Sequence, residues 1–269
     1  MEKASKRLTW LGHNCFLFEY NGCKFLVDPF LVNGVAPVQA HEIKANYLLV
    51  SHGHSDHCAS VPEIAANTGA TIISVAEVAG FFAKKGLKTE SMNIGGAIYL
   101  PASKNPEDPE AQIMMVQAPH SSTMPDNSPG GNSVGFILSF SQNGTHLSPA
   151  NAPIKPMKNT LDDAMAFSIY FACDSGYFTE MNWIGQLGID VAVLPIGDRF
   201  TMGPSLSLDA VNAINPQYVV PCHYNTWEPI AQSVDKWSDA VQQYTKAIPL
   251  VLTPGKTVSE DESGIWRQA

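Results

Sequence analysis

Basic residues are scarce in this chain. Lys and Arg number 16 against 25 Asp and Glu, a formal net charge of −9 over 269 residues, so the phosphate-neutralising surface of a broad nucleic-acid binder is absent. That balance leaves a small anionic substrate held in a pocket open. Long apolar runs are missing too: none approaches the roughly 18 residues that cross a bilayer, and the opening MEKASKRLTW has no apolar core behind its charges. The sequence therefore predicts a soluble, cytoplasmic protein with no membrane partner. Cysteine is sparse and unpaired in pattern. Five are present (Cys15, Cys23, Cys58, Cys173, Cys222), odd in number and never as C-x-x-C, which predicts reduced thiols rather than a disulfide framework. Internal repeats, low-complexity blocks and linkers are also lacking, which predicts one domain over 1–269.

What is present is a substantial apolar fraction, 45%, arranged in short runs. LTWLG, CFLFEY and CKFLV precede YLLV at 47–50, and an Asn21-Gly22 turn joins the middle pair, setting Tyr20 against Cys23. Strands and helices then alternate. Ser60-Val61-Pro62-Glu63 has the form of a capping box and predicts a helix over about 61–67; ATIISV reads as a strand, and Val78–Lys85 as a helix. QIMMVQA (112–118), SVGFILSF (133–140), FSIYFAC (167–173), DVAVLPI and QYVVPC are buried-strand candidates. Helices are expected near 206–214 and 228–246, with PLVLT as a last strand. The class is α/β (α+β), with mixed sheets and helices outside. Residues 101–111 and 141–166 exceed what such a framework needs, and the second is long enough to be an insert-like lid.

Residues 51–58, Ser-His-Gly-His-Ser-Asp-His-Cys, place His52, His54, Asp56 and His57 directly after an apolar strand. Alternating positions in an extended turn send His52 and His54 to one side, while Asp56 and His57 reach a second point. One loop can thus serve two metals, but neither point has enough ligands without help. Three further ligand-type residues end apolar runs: His120 after IMMVQAP, Asp174 after IYFAC and His223 after YVVPC. Sites in α/β architectures gather beyond the carboxyl ends of strands, so these three are drawn to the same rim. Cys58, Cys173 and Cys222 adjoin these residues, but strand neighbours face opposite ways, so they are expected to pack as small apolar groups. His41 and His146 read as surface residues, and the acidic stretches Glu107–Glu110 and Asp162-Asp163 as solvated loop charge.

The H-x-H-x-D-H pattern at His52–His57 resembles the metallo-β-lactamase superfamily, as does the order Asp28, histidine cluster, His120, Asp174, His223. TWLGHNCF, VDPF, VSHGHSDH, LPIGDRFTMGP and PCHYNTW look more closely like a branch of metal-dependent hydrolases akin to the ascorbate-6-phosphate lactonases. The resemblance implies a four-layer αβ/βα sandwich. It implies one metal on His52, His54 and His120, a second on Asp56, His57 and His223, and Asp174 bridging. Two divalent ions, zinc or manganese in preference to iron, would share a hydroxide at neutral pH and cleave a small ester, lactone or phosphoester. Asp56 is the catalytic candidate, holding the proton of the nucleophile. Asp28 is expected to accept a hydrogen bond from the histidine loop and fix its shape. The branch also tends to form homo-oligomers.

Substrate contacts are expected from His13, in Gly12-His13-Asn14, and from Arg199, Thr201 and Asn225 just past strand ends, with Arg199 gripping an anionic group. Three other readings compete: an iron-dependent oxidoreductase resembling persulfide dioxygenases, a tRNA-processing type of nuclease, and a non-catalytic metal-binding protein. The complete ligand set and absence of a flavin-domain sequence disfavour the first. The acidic balance disfavours the second.

Overall fold

The computed structural model describes residues 5–32, 34–101, 110–141 and 165–268. Residues 102–109 and 142–164, hence most of the two expected excursions, His146, the acidic stretch at 107–109 and Asp162-Asp163, lie outside them.

Two mixed sheets face each other. In the first, β1 (Lys6–Trp10), β2 (Phe16–Tyr20) and β3 (Cys23–Val27) run antiparallel. Asn21 and Gly22 both take positive φ, 48° and 79°, so a two-residue turn matches the strand twist and pairs Tyr20 with Cys23. Then β4 (Tyr47–Leu49), β5 (Thr71–Val75) and β6 (Thr89–Met92) extend the sheet in parallel, separated by α1 (Ser55–Cys58), α2 (Val61–Thr68) and α3 (Ala76–Ala83). Parallel strands covered on both faces need continuous apolar side chains, and TIISV is buried at every position.

The second sheet repeats this plan. Antiparallel β7 (Ala97–Pro101), β8 (Glu110–Gln117), β9 (Val134–Ser141) and β10 (Met165–Phe171) lead into parallel β11 (Val191–Pro195), β12 (Tyr218–Cys222) and the two-residue β13 (Ile248–Pro249). Between them lie α4 (Met181–Gly185), α5 (Pro204–Ile214) and α6 (Val234–Tyr244). The chain then returns to the first sheet, where β14 (Thr257–Glu260) pairs with β1 and β15 (Trp266–Gln268) with β14.

An aromatic seam joins the sheets. Alternate residues Phe16, Phe18 and Tyr20 of β2 point across to the second sheet, where Phe140 stacks on Tyr20 at 4.1 Å and Phe167 and Phe171 meet Phe18 and Phe16 at 5.8 and 6.2 Å. Each fully buried aromatic contributes roughly 1.5–3 kcal/mol by removal from water, which holds the layers in register. Outside, α3 covers β5 and β6, α5 covers β11 and α6 packs on β13, giving the four-layer αβ/βα sandwich. No helix among the described residues is long and apolar enough to cross a membrane.

Several local expectations are corrected. Ser60 does not cap α2: its backbone is already near-helical, at φ −91° and ψ −4°, and its hydroxyl accepts the Leu31 amide at 2.9 Å instead. The helix expected over 228–246 is broken. Pro229 sits in a single turn, 228–230, and Asn225 then ties the Gln232 main chain in both directions, so α6 starts only at Val234. Of the expected strand PLVLT only Pro249 is in a strand, the second residue of β13, and β6, β7, β14 and β15 are additions. All five cysteines are free and buried.

Candidate metal centre

The carboxyl ends of the parallel strands converge from both sheets. Asp28 follows β3, the histidine loop follows β4, His120 lies just past β8, Asp174 past β10 and His223 directly after β12. The chain between β4 and α1 is extended to His54, which caps the single turn of α1 and turns Asp56 and His57 inward. Four non-glycine residues here hold left-handed backbone: His13 (φ 55°), Asp28 (43°), Cys173 (53°) and His223 (52°). Such conformations cost of order 1–3 kcal/mol each and persist where surrounding structure enforces them.

Asp28 organises the histidine loop. Its carboxylate is fully buried and accepts the Ser51 amide, the Ser51 hydroxyl and His57 Nδ1, each at 2.8 Å. Ser51 gives its one hydroxyl proton to Asp28, so it accepts from His52 Nδ1 at 2.8 Å. Both imidazoles therefore carry a proton on Nδ1 and present Nε2 inward. Asp28, His52 and His57 lie close enough to hold an ion themselves, but these bonds already use Asp28 and both Nδ1 atoms.

Two groups of donors result. His52, His54 and His120 bring their ring nitrogens within 4.8 Å of one another, with His52 Nε2 and His54 Nδ1 2.9 Å apart. His13, Asp56, His57 and His223 form the second group within the same limit. Asp174 stands between them, its Oδ2 3.2 Å from His57 Nε2, 3.2 Å from His223 Nε2 and 3.6 Å from His120 Nε2. Asn14 fixes the other oxygen, donating to Oδ1 at 2.6 Å.

This arrangement fits a metal. His57 Nε2 is buried without a hydrogen-bond partner and faces Asp174 Oδ2 at 3.2 Å and Asp56 Oδ2 at 3.9 Å. A lone pair aimed at carboxylates needs a cation between them, a proton or a metal ion. Burial works against the His57 imidazolium, yet Asp174 and Asp28 on either side overrule it and hold its pKa well above the ordinary value in the metal-free chain. Burial lowers His52, His54 and His120, and brings His13 down to about 4, leaving neutral imidazoles, the ligating form. Burial alone would raise Asp56, but its hydrogen bond to His13 and the charge of His57 keep it below the usual carboxylate range.

Five of the expected residues, His54, Asp56, His120, Asp174 and His223, open into a cavity of about 350 Å³ whose other walls are Ser121, Phe200 and Trp227. The expected substrate contacts are placed elsewhere. His13 is buried behind the cavity, with Nε2 3.2 Å from Asp56 and Nδ1 2.9 Å from Thr226 Oγ1. Its carbonyl accepts the Trp10 indole and the His223 amide, so the turn that carries it also seats His223. The guanidinium of Arg199 lies 5.3 Å from the Phe200 ring, the Thr201 hydroxyl bonds the Met202 carbonyl, and Asn225 spends its side chain on Gln232. Asn14, Phe200 and Trp227 were not singled out by sequence; Asn14 reads as a turn residue, and nothing in the chain marks the two aromatics as exposed.

A family model, the beta-lactamase superfamily domain, matches residues 7–147. A UPF0173 metal-dependent hydrolase of Desulforamulus reducens is 38% identical over 257 residues, covering 93% of this chain and 98% of its own. One from Methanosarcina mazei is 33% identical, covering 95% and 99%. Among solved structures, Igni18, a metallo hydrolase of Ignicoccus hospitalis, superposes with a TM-score of 0.78 at 28% identity over 96% of this chain and 99% of that one. The chain belongs to the metallo-β-lactamase superfamily and, within it, to the UPF0173 metal-dependent hydrolases.

Proposed function

We propose that the protein is a dinuclear hydrolase of small esters or lactones, built as one unit over 1–269 because each sheet supplies part of its donor set. His52, His54 and His120 form one position, Asp56, His57 and His223 the other, and Asp174 joins them. The observation that carries this reading is the contact of a single oxygen, Asp174 Oδ2, with nitrogens from both groups, at 3.2, 3.2 and 3.6 Å. His13 belongs with the second position rather than with the substrate, since it is 2% exposed and its Nε2 faces Asp56. Zinc or manganese suits a set of imidazoles and carboxylates without thiolate. When bound, two such ions lower the pKa of a water and neutralise charge that develops on the electrophile.

The chain's own residues do the rest. Asp56 is held ionised and is 39% exposed at the cavity wall, where it accepts a hydrogen bond from the attacking water and orients it toward the electrophile. His13 steadies that carboxylate from behind. Asn14 keeps Asp174 oriented so that Oδ2, not Oδ1, faces both groups.

The test is elemental analysis of protein purified without chelator or metal-affinity resin, alongside Asp174→Ala. About two zinc or manganese ions per chain, falling in the variant, and hydrolysis of an ester and lactone panel support the proposal. A single iron per chain with oxygen consumption would overturn it in favour of an oxidoreductase.

A further inference from the structure

Two large aromatics stand exposed in the cavity wall. Phe200, 43% exposed, lies on the loop after β11, and Trp227, 47% exposed, on the loop after β12. Their rings are parallel to within 2° at a centroid separation of 5.5 Å. They line the same cavity as Asp56, Asp174 and His223. Resting on the hydrolase reading above, we infer that Phe200 and Trp227 form a recognition shelf for a flat apolar group, and that the substrate is an ester or lactone carrying an uncharged aromatic ring.

Three observations carry this. The first is rigidity. Thr201 N and Met202 N donate to Asp198 and Ser175 carbonyls at 2.9 Å each, while Asn225 takes the Ile230 carbonyl on its amide and holds Gln232 by both side-chain atoms. Both loops are thereby fixed before a ligand arrives, which removes an ordering cost from binding. Asn225 becomes a positioning residue for Trp227.

The second is charge. No Lys or Arg lines this cavity among the described residues, and Arg199, expected to grip an anion, lies against Phe200 instead. The carboxylates of Asp56 and Asp174 are taken up by the proposed metal positions, so away from those ions a charged substituent on the substrate finds no cationic side chain to hold it. The third is geometry: the two rings stack on each other, so a flat aromatic group can continue the stack on the outer face of either ring, in the offset arrangement that such groups prefer. A saturated ring of similar size loses that term, a loss of about three- to tenfold in affinity.

The test uses the full chain loaded with zinc. Binding of 2-phenylacetamide and 2-cyclohexylacetamide, neutral and poorly hydrolysed, is compared by ligand-observed NMR in the wild type, Phe200→Ala and Trp227→Ala, with metal content checked in each. The inference expects phenylacetamide to bind at least about threefold better in the wild type and both alanine variants to lose the preference with metal retained. Equal binding of the two amides, or a preference that survives in both variants, overturns it. Turnover of methyl phenylacetate against methyl cyclohexylacetate is measured in parallel. Preferential amide binding without hydrolysis of either ester sinks the hydrolase reading and leaves the shelf standing; hydrolysis without discrimination does the reverse.

Discussion

Asp28→Asn removes one charge and almost no volume from the centre of the histidine loop. Asp28 has φ 43°, a conformation asparagine tolerates well, so the substitution adds no backbone strain. Its carboxylate accepts three bonds at 2.8 Å, two of them, from the Ser51 hydroxyl and His57 Nδ1, on Oδ2. An amide has only one accepting atom. With its oxygen in the Oδ2 position, the NH2 group meets the Ser51 amide, donor against donor; in the flipped orientation it meets the Ser51 hydroxyl and His57. One buried donor left unpaired costs about 1–3 kcal/mol, and two bonds that lose their charge assistance add roughly 1 kcal/mol each. A total of about 3–5 kcal/mol lowers the Tm by about 6–20 °C at this chain length. The flipped amide would also push the His57 proton from Nδ1 to Nε2, the atom that faces Asp174, so metal affinity falls by about 10- to 100-fold. Calorimetry and competition against a chelator of known affinity read both effects. A Tm within 2 °C of wild type, or an affinity within a factor of about two, would refute the claim that Asp28 sets the tautomers.

Gly197→Ala would drive a Cβ into the His223 carbonyl and to 3.0 Å from its Nδ1, so the variant is expected to lose about one metal ion per chain; full metal content by elemental analysis contradicts this. His13→Ala should weaken the second metal position by more than about tenfold and change the visible spectrum of the cobalt-substituted protein, whereas a rise in KM with both metals retained would return His13 to the substrate. The thiols should be inert in the folded chain: burial pushes Cys23 up to about 11 and Cys15 and Cys58 up to about 12, so iodoacetamide at pH 8 adds nothing natively and five groups after denaturation, as mass spectrometry would count. Asn225→Ala should raise KM for an aryl ester with kcat and metal content unchanged; an unaltered KM removes its positioning role.

The histidine loop and the strand-end residues were readable because each follows an apolar run long enough to be a buried strand, and two sheets bring strand ends together. His120, Asp174 and His223 needed only that rule. Local patterns did less well where tertiary partners competed for the same atoms. Ser60 has the spelling of a cap, but the Leu31 amide takes its hydroxyl. Arg199 and Asn225 sit where a substrate contact would sit, yet both side chains are directed to the loops themselves. The short strands β14 and β15 carry Thr, Ser, Glu and Arg and owe their conformation to the edge of β1 rather than to any periodicity. Phe200 and Trp227 were invisible for a different reason: exposure of an aromatic depends on what packs around it, and the chain alone does not list neighbours.

The proposed donors are divided between the sheets, with the histidine loop and His13 on one side and His120, Asp174 and His223 on the other. Any ion shared between them acts as a rivet through two plates. To leave, it must let go of donors on both plates, and while it stays it opposes their sliding apart. Metal escape and separation of the layers are then coupled, so the rate at which a chelator strips the protein is expected to follow breathing of the sandwich. Loosening the Tyr20–Phe140 stack, far from any donor, would make that stripping faster.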